Sequence, residues 1–127
     1  MTASEEKRIW ALRGAVQAGA NEAGAILSAT ADLLRALLER NGLAPGDLVS
    51  CIFTVTDDLD AEFPAVAARE IGLDAVPLLC AREIAVPGSM PRVIRALVHC
   101  YAPPDHEPAH VYLGATQALR SDLHSAQ

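Results

Sequence analysis

The fold is decided by residues 76–101, "VPLLCAREIAVPGSMPRVIRALVHCY", where two apolar segments flank a Pro-Gly turn. The first segment begins in residues 75–80, which are aliphatic, and we predict a strand there that continues through "AREIAV" to the turn. The second segment, residues 91–101, alternates between two sets of side chains. A helix is the competing interpretation, but the valine and isoleucine content and the preceding turn favour a strand.

Upstream of this stretch, the chain changes from strand-like to helix-like periodicity and back. Residues 8–16, "RIWALRGAV", have the alternation of a strand. Asn21 is predicted to cap a long helix that Asn41-Gly42 ends. Residues 48–56, "LVSCIFTVT", are apolar and β-branched, as in a buried central strand. The helical spacing predicts these core-facing positions: Ile26, Thr30, Leu33, Leu34, Leu37 and Leu38.

The remaining elements define the class of fold. A short helix is predicted from Pro64, which suits a first helical turn, to Gly72. "HVYLG" (110–114) reads as a short strand and "ATQALRSDL" (115–123) as a final helical turn. The order βαβαββ followed by a short strand indicates an α/β (α+β) fold, a single domain with a mixed β-sheet and helices on one side.

Composition limits the classes of function. With 51% hydrophobic and 20% charged residues, the chain is predicted to be one globular domain over residues 1–127, with flexible ends at 1–7 and 121–127. The net charge of −6 argues against affinity for nucleic acid or an anionic membrane, so an anion site needs a local cluster of arginines. No apolar run approaches the ~20 residues of a transmembrane helix, and the N-terminus lacks the apolar region of a secretory signal. Three widely spaced cysteines without a CxxC motif predict free thiols in a reducing cytoplasm.

The segment "HEPAH", residues 106–110, matches the HExxH pattern of zinc proteases. That pattern works only on a helix, which places both histidines on one face. Pro108 lies between the histidines here and fits only the first turn of a helix, so His106 would fall outside it. We therefore predict a loop and no metal site.

Cys80 is the candidate for covalent chemistry. A cysteine nucleophile needs a nearby base, and His99 could approach Cys80 only by strand pairing. The alternative is a small thiol that packs as a hydrophobic group, which is the commoner role of a free cysteine. Cys51 and Cys100 lie among aliphatic residues and are predicted to belong to the core.

Two arginines, Arg13 and Arg95, lie in the middle of predicted strands among apolar neighbours. An unpaired guanidinium is costly in such a place, so the residues themselves leave two interpretations. In one, the arginines form ion pairs with Glu83 or Glu70. In the other, both point into a shared pocket that binds a dianionic ligand, because guanidinium binds carboxylates bidentately and stays protonated. Tyr112 could add a hydroxyl to that pocket.

Four ordered segments make the chain resemble a known family. They are "ALRGA" (11–15), "DLDAEFPAVAARE" (58–70), "VPLLCAREIAVPGSMPRVIR" (76–95) and "HVYLGATQALRSDL" (110–123). In this order and spacing they resemble the trimeric AroH-type chorismate mutases, the monofunctional class typified by the Bacillus enzyme. The resemblance covers about residues 8–123.

The resemblance implies a fold, an assembly and a reaction. The expected assembly is a homotrimer, a trimeric pseudo-α/β-barrel with active sites at subunit interfaces. The expected reaction is the intramolecular rearrangement of chorismate to prephenate in phenylalanine and tyrosine biosynthesis, without a cofactor or metal and without covalent or acid-base catalysis.

It also implies roles for individual residues. Arg13 and Tyr112 resemble the pair that binds a carboxylate, and Arg95 the residue that reaches the ether oxygen. Glu83 and Cys80 resemble the pair around the ring hydroxyl. The pocket wall, its rim and its closing residue match four positions, Phe63, Ala65, Arg69 and Leu119. Val66 departs from the family pattern, which often has a basic residue there.

Two other functions are compatible with a trimer of similar fold. One is a non-catalytic trimer that binds small anions, and the other is an imine deaminase of the RidA-like group, which also uses an arginine at a trimer cleft. The order of "CARE", "RVIR" and "HVYL" favours the mutase, because a deaminase has no evident need for Glu83 in that relation to Arg95.

Overall fold

A computed structural model of the chain describes residues 6–120, which form a mixed five-stranded sheet with two α-helices and a further helical segment at residues 117–120. The expected flexibility of the ends concerns residues that lie largely outside this described part, at 1–5 and 121–127. The order of elements confirms the predicted α/β class and the series βαβαββ followed by a short strand. The elements are β1 (Arg8–Gln17), α1 (Ala23–Arg40), β2 (Leu48–Val55), α2 (Pro64–Glu70), β3 (Leu78–Arg82), β4 (Val93–Ala102) and β5 (Val111–Tyr112), with short 3-10 turns at Pro45–Asp47 and Gly114–Thr116.

The strands lie in the order β3-β2-β4-β1-β5, so the segment after the Pro-Gly turn forms the middle strand. β4 pairs antiparallel with β1 and β2, while β3 and β5 add parallel edges. The helix interpretation of residues 91–101 is therefore excluded. Arg95 on β4 pairs with Ala15 on one side and with Thr54 on the other. The register thus places Arg95 in the interior of the sheet.

The two faces of the sheet differ in character. One face packs against the helices in a single apolar core, which contains Leu12 from β1, Phe53 from β2 and Ile94 from β4. The predicted helix face is confirmed, with Ile26, Thr30, Leu33, Leu34 and Leu37 buried. Because side chains alternate along a strand, Arg13, Thr54 and Arg95 lie on the opposite face.

Two of the cysteines belong to this core, as predicted. Cys51 and Cys100 are buried, and both are free thiols. Burial raises the pKa of the Cys51 thiol to about 12, so this thiol stays protonated at neutral pH. Neither cysteine is a nucleophile.

The predicted N-cap of α1 is wrong. The helix begins at Ala23, with Glu22 at the N-cap position. Asn21 instead binds the loop that precedes α2: its amide nitrogen donates to Asp60 Oδ1 at 2.7 Å, and its oxygen accepts from the Asp60 and Ala61 N–H groups. The predicted C-terminal end at Asn41 is confirmed. Within residues 6–120 no helix is long and apolar enough to cross a membrane.

The predicted extent of the strand before the Pro-Gly turn is also wrong. β3 ends at Arg82 and does not continue to the turn. Its partner β2 ends at Val55, which pairs with Arg82, and Glu83 makes one last backbone bond to the Val55 carbonyl at 2.9 Å. Beyond that point the ladder has no neighbour strand to extend it. The turn itself forms at Gly88, where φ is +84° and glycine is favoured.

Gly14 on β1 allows α1 to pack closely on the sheet. A Cβ at this position would lie 2.8 Å from Leu33 Cδ1 and 3.2 Å from the backbone oxygen of Val111. We expect Gly14→Ala to lower the free energy of unfolding by about 1–3 kcal/mol, because overpacking displaces the backbone of β5 as well as flexible leucines. Urea denaturation measures this loss. Gly19→Ala is the control, since a Cβ there meets nothing within 4 Å, and equal midpoints for the two variants would contradict the packing argument.

Candidate active site

The uncovered face of the sheet contains a cavity of about 360 Å³ at its centre. This volume lies in the range of small-molecule sites. Both mid-strand arginines reach the cavity, so the structure brings together the residues that the shared-pocket interpretation requires. The lining residues are Arg13, Gly14, Ile52, Thr54, Arg95, Ala96, Leu97 and Tyr112.

Arg95 is held in place by Glu83. Its Nε donates to Glu83 Oε2 at 2.9 Å, and the Thr54 hydroxyl donates to the same oxygen at 2.6 Å. The carboxylate is largely shielded, with a side-chain exposure of 17%, whereas Arg95 is 41% exposed. The ion-pair interpretation is therefore also correct for Arg95. The bond to Glu83 uses Nε. It therefore leaves the N–H donors on the two terminal nitrogens of the Arg95 guanidinium available for a ligand.

Tyr112 is one of the residues that line this cavity. It is buried beside Ala15 and Val93, because β5 pairs parallel with β1 in the register Ala15 to Tyr112. Leu119, from the helical residues after β5, packs against this small cluster. Leu119 thus lies near Tyr112 but is not among the residues that line the cavity.

Cys80 and Phe63 line a different cavity, of about 330 Å³, between β3 and the start of α2. Cys80 pairs with the wholly buried Phe53, so it lies on the helix-covered side of the sheet. Phe63 is 66% exposed, although it is a large hydrophobic residue. Within one chain, these two residues therefore do not lie in the cavity that contains Arg13 and Arg95.

The other predicted wall and rim residues lie on α2. Ala65 is buried in the main core, Val66 is half-buried and Arg69 is exposed in the last turn of the helix. They follow Phe63 directly and belong to the same side of the molecule as the second cavity. The structure thus divides the predicted site residues into two groups, one around Arg95 and one around Phe63.

The "HEPAH" segment is a loop, as predicted. His106 Nε2 lies 3.1 Å from the Asn41 side-chain oxygen, whereas His110 Nδ1 accepts the backbone N–H of Arg13 at 3.0 Å. Among residues 6–120, no group of three or more His, Cys, Asp or Glu side chains could hold a metal ion. The two histidines therefore contact different parts of the fold.

His110 is held in its neutral form. Burial lowers its pKa below the ordinary value of 6.5, and the positive charges of Arg13 and Arg120 lower it further. Because Nδ1 accepts a hydrogen bond, the ring proton lies on Nε2.

This lowered pKa predicts how stability depends on pH. Above pH 6.5 both the folded and the unfolded chain carry a neutral His110, and as the pH falls below 6.5 the unfolded chain takes up the proton first. We therefore expect the melting temperature to fall between pH 7.5 and 5, and to fall less in His110→Asn, which cannot titrate. Asp58, whose pKa its Thr56 hydrogen bond lowers, titrates only below this window. Calorimetry at several pH values measures the difference, and identical slopes for both proteins would contradict it.

Sequence reasoning missed three residues near the cavity. Thr54 anchors Glu83, His110 binds the Arg13 backbone, and Arg120 acts electrostatically on His110. The alternation of "CIFTVT" could have placed Thr54 on the open face, but only the strand register brings it opposite Arg95. Arg120 lies in the matching segment "HVYLGATQALRSDL", where the position of its charge depends on the turn at Gly114–Thr116.

The geometry defines the kind of site. Two arginines and a tyrosine line one small cavity, and the Glu83 carboxylate orients the Arg95 guanidinium. Guanidinium groups with a nearby hydroxyl are suited to binding the carboxylates of a small anion through charge-assisted hydrogen bonds. By fold and site, the protein is an α/β protein with an arginine-lined cavity on the open face of its sheet.

Comparison with known proteins identifies the family. The model of "Chorismate mutase type I" matches residues 9–123. Chorismate mutase AroH of Thermus thermophilus is 49% identical over 118 residues, which cover 91% of this chain and 97% of that protein. Chorismate mutase AroH of Bacillus subtilis is 36% identical over 114 residues, 88% of this chain and 90% of that protein. The solved structure of a chorismate mutase from Clostridium thermocellum superposes with a TM-score of 0.81 at 44% identity, covering 86% of this chain and 98% of that one. The chain belongs to the type I chorismate mutase family.

Proposed function

We propose that this chorismate mutase converts chorismate to prephenate in a cleft whose charged half is formed by Arg13, Arg95, Tyr112 and Glu83. The observation that carries the proposal is the convergence of the first three residues on one cavity, with Glu83 bonded to Arg95. The substrate has two carboxylates, and two fixed guanidinium groups match that charge.

The reaction breaks one C–O bond and forms one C–C bond within a single molecule. It transfers no proton and no group, so it requires a defined conformation of the substrate. Arg13 and Tyr112 bind a carboxylate and hold the side chain of the substrate over its ring, which lowers the entropic part of the barrier. Arg95 donates to the ether oxygen, where negative charge develops in the transition state.

Glu83 has two functions in this proposal. Its ionised carboxylate fixes the direction of the Arg95 guanidinium through the 2.9 Å bond at Nε. It also accepts a hydrogen bond from the ring hydroxyl and favours the positive charge that spreads over the ring. A carboxylate anchored by Thr54 at 2.6 Å provides this charge without reorganising during the reaction.

The second half of each site comes from a neighbouring subunit of a homotrimer. The division of the site residues supports this, because Phe63 and Cys80 line a separate cavity within one chain. Ala65 and Arg69 on α2 belong to the same half. Large hydrophobic residues are exposed on the strands, among them Leu79 and Tyr101, as expected for a surface that a partner covers. Packing the Phe63 half of one subunit against the Arg95 half of the next closes the cleft.

The proposed unit is one chorismate mutase domain over residues 1–127, working in the cytoplasm. Three free thiols support a reducing compartment. Leu119 closes the cleft at the Tyr112 end, where it packs against the small cluster on the open face.

The decisive test is a direct assay of the purified protein. Chorismate loss is followed by its ultraviolet absorbance, and prephenate is identified by conversion to phenylpyruvate in acid. No loss at micromolar protein, with the trimer intact by analytical ultracentrifugation, would overturn the mutase proposal. Chorismate that binds without reacting would indicate an anion-binding protein, and turnover of 2-iminobutanoate would indicate an imine deaminase.

A further inference from the structure

We propose that His110 is a positioning residue for Arg13: its neutral imidazole accepts the Arg13 backbone N–H and so fixes the main chain from which the guanidinium projects into the cavity. The proposal deepens the proposed function and rests on it. It assigns a role to the "HEPAH" loop, which contributes no residue to the lining of the cavity.

The hydrogen bond from the Arg13 N–H to His110 Nδ1 lies at the end of the parallel β1–β5 ladder. β1 and β5 pair in parallel from Gly14 and Val111 onward, and Arg13 and His110 are the residues just before this pair. Here the Nδ1 of His110 replaces a main-chain acceptor for the Arg13 N–H, at 3.0 Å. On its other side Arg13 pairs with Leu97 of β4. The His110 imidazole and β4 therefore hold the Arg13 main chain from both sides.

The loop that carries His110 is itself anchored to the core. Asn41, which is 6% exposed, accepts the Ala109 N–H at 2.8 Å and donates to the Ala109 carbonyl at 2.9 Å. The same amide nitrogen also donates to the Leu37 carbonyl of α1 at 2.8 Å. The residue before His110 is thus tied to the end of the longest helix. A rigid connection runs from α1 through Asn41 and Ala109 to the imidazole.

His110 lies two residues before Tyr112 in the chain. Arg13 and Tyr112 are the proposed carboxylate-binding pair, and both line the cavity. By fixing the start of β5 against β1, the imidazole sets the spacing between the guanidinium and the phenol. Small displacements in such a pair have large effects, because reactive alignment of the substrate is sensitive to shifts of about 1 Å.

The test compares three substitutions that differ in where they place an acceptor. Asn places its oxygen near the position of Nδ1, Gln places it near Nε2, and Ala removes it. We expect His110→Ala and His110→Gln to raise KM for chorismate by about tenfold with a smaller fall in kcat. His110→Asn should recover most of this loss. Glu107→Gln, an exposed change in the same loop, is the matched control.

Two further measurements separate positioning from simple destabilisation. In an Arg13→Ala background, His110→Ala should have little additional effect on KM, because it acts through Arg13. The amide proton of Arg13, measured by NMR without substrate, should exchange slowly in the wild type and in His110→Asn and quickly in His110→Ala. This readout does not depend on activity, so it tests the contact even if the protein fails the chorismate assay.

Three results would overturn the proposal. They are an unchanged KM in His110→Ala, equal impairment of His110→Asn and His110→Ala, or an Arg13 amide that exchanges at the same rate in all variants.

Discussion

We expect the replacement of Arg95 by lysine to lower kcat for chorismate by at least about a hundredfold, with a smaller change in KM. Lysine carries the same charge, but it has one nitrogen where arginine has three. In the structure Nε binds Glu83, and in the proposed site the terminal nitrogens bind the substrate. A single ammonium group cannot bind Glu83 and the substrate at the same time in the planar geometry of the guanidinium. The loss falls on kcat because negative charge on the ether oxygen exists only in the transition state.

Steady-state kinetics by chorismate absorbance measure this effect. Arg35→Lys is the matched control, since Arg35 is an exposed arginine of α1 on the far side of the sheet. Circular dichroism checks that both variants fold. A variant in which only KM rises would show that Arg95 binds the ground state and does not act on the breaking bond. A variant with wild-type kinetics would show that the cavity is not the active site.

We expect the replacement of Phe63 by aspartate to lower kcat/KM by about a hundredfold or more, because in the proposed site the new carboxylate would face a dianionic substrate, at a cost of several kcal/mol. Phe63 is suited to this test. It is exposed and occupies the N-cap position of α2, where aspartate is a favourable residue. Phe63→Asn has the same capping ability without the charge, and we expect it to lose about tenfold or less. The difference between the two variants isolates the electrostatic effect at this position.

The same variant tests the division of the site between subunits. Arg95→Ala and Phe63→Asp chains are each nearly inactive as homotrimers if every site needs both halves. When the two chains are refolded together, some interfaces combine an intact Arg95 half with an intact Phe63 half, and about a quarter of the wild-type activity should return. Native mass spectrometry confirms that mixed trimers have formed. Mixed trimers without recovered activity would show that both halves come from one chain.

The sequence alone predicted the elements and much of the core, for a physical reason. Helical and strand periodicities record which side of each element is buried, so α1, the alternation of β4 and the burial of Cys51 and Cys100 could be read from the chain. A Pro-Gly pair specifies its own turn, which the structure shows at Gly88. The mid-strand arginines were informative for the same reason, since a charge in an apolar strand requires a partner or a ligand.

Helical and strand periodicity could not predict contacts between residues that are far apart in the sequence. Asn21 resembles a helix cap, but it binds Asp60, which is 39 residues away. β3 ends at Arg82 because its partner strand ends there, which the sequence of β3 does not show. His110 belongs to an apparent zinc motif, whereas the structure gives it the backbone of Arg13 as a partner.

For this protein, the sequence by itself determined the order of elements, the buried faces and the types of charged group available to a ligand. Only the tertiary structure decided which of these groups meet. It placed Arg13, Arg95 and Tyr112 around one cavity and left Cys80 and Phe63 in another. Periodicity is a property of neighbours along the chain, whereas the convergence of a site depends on the order and register of strands that are far apart in sequence.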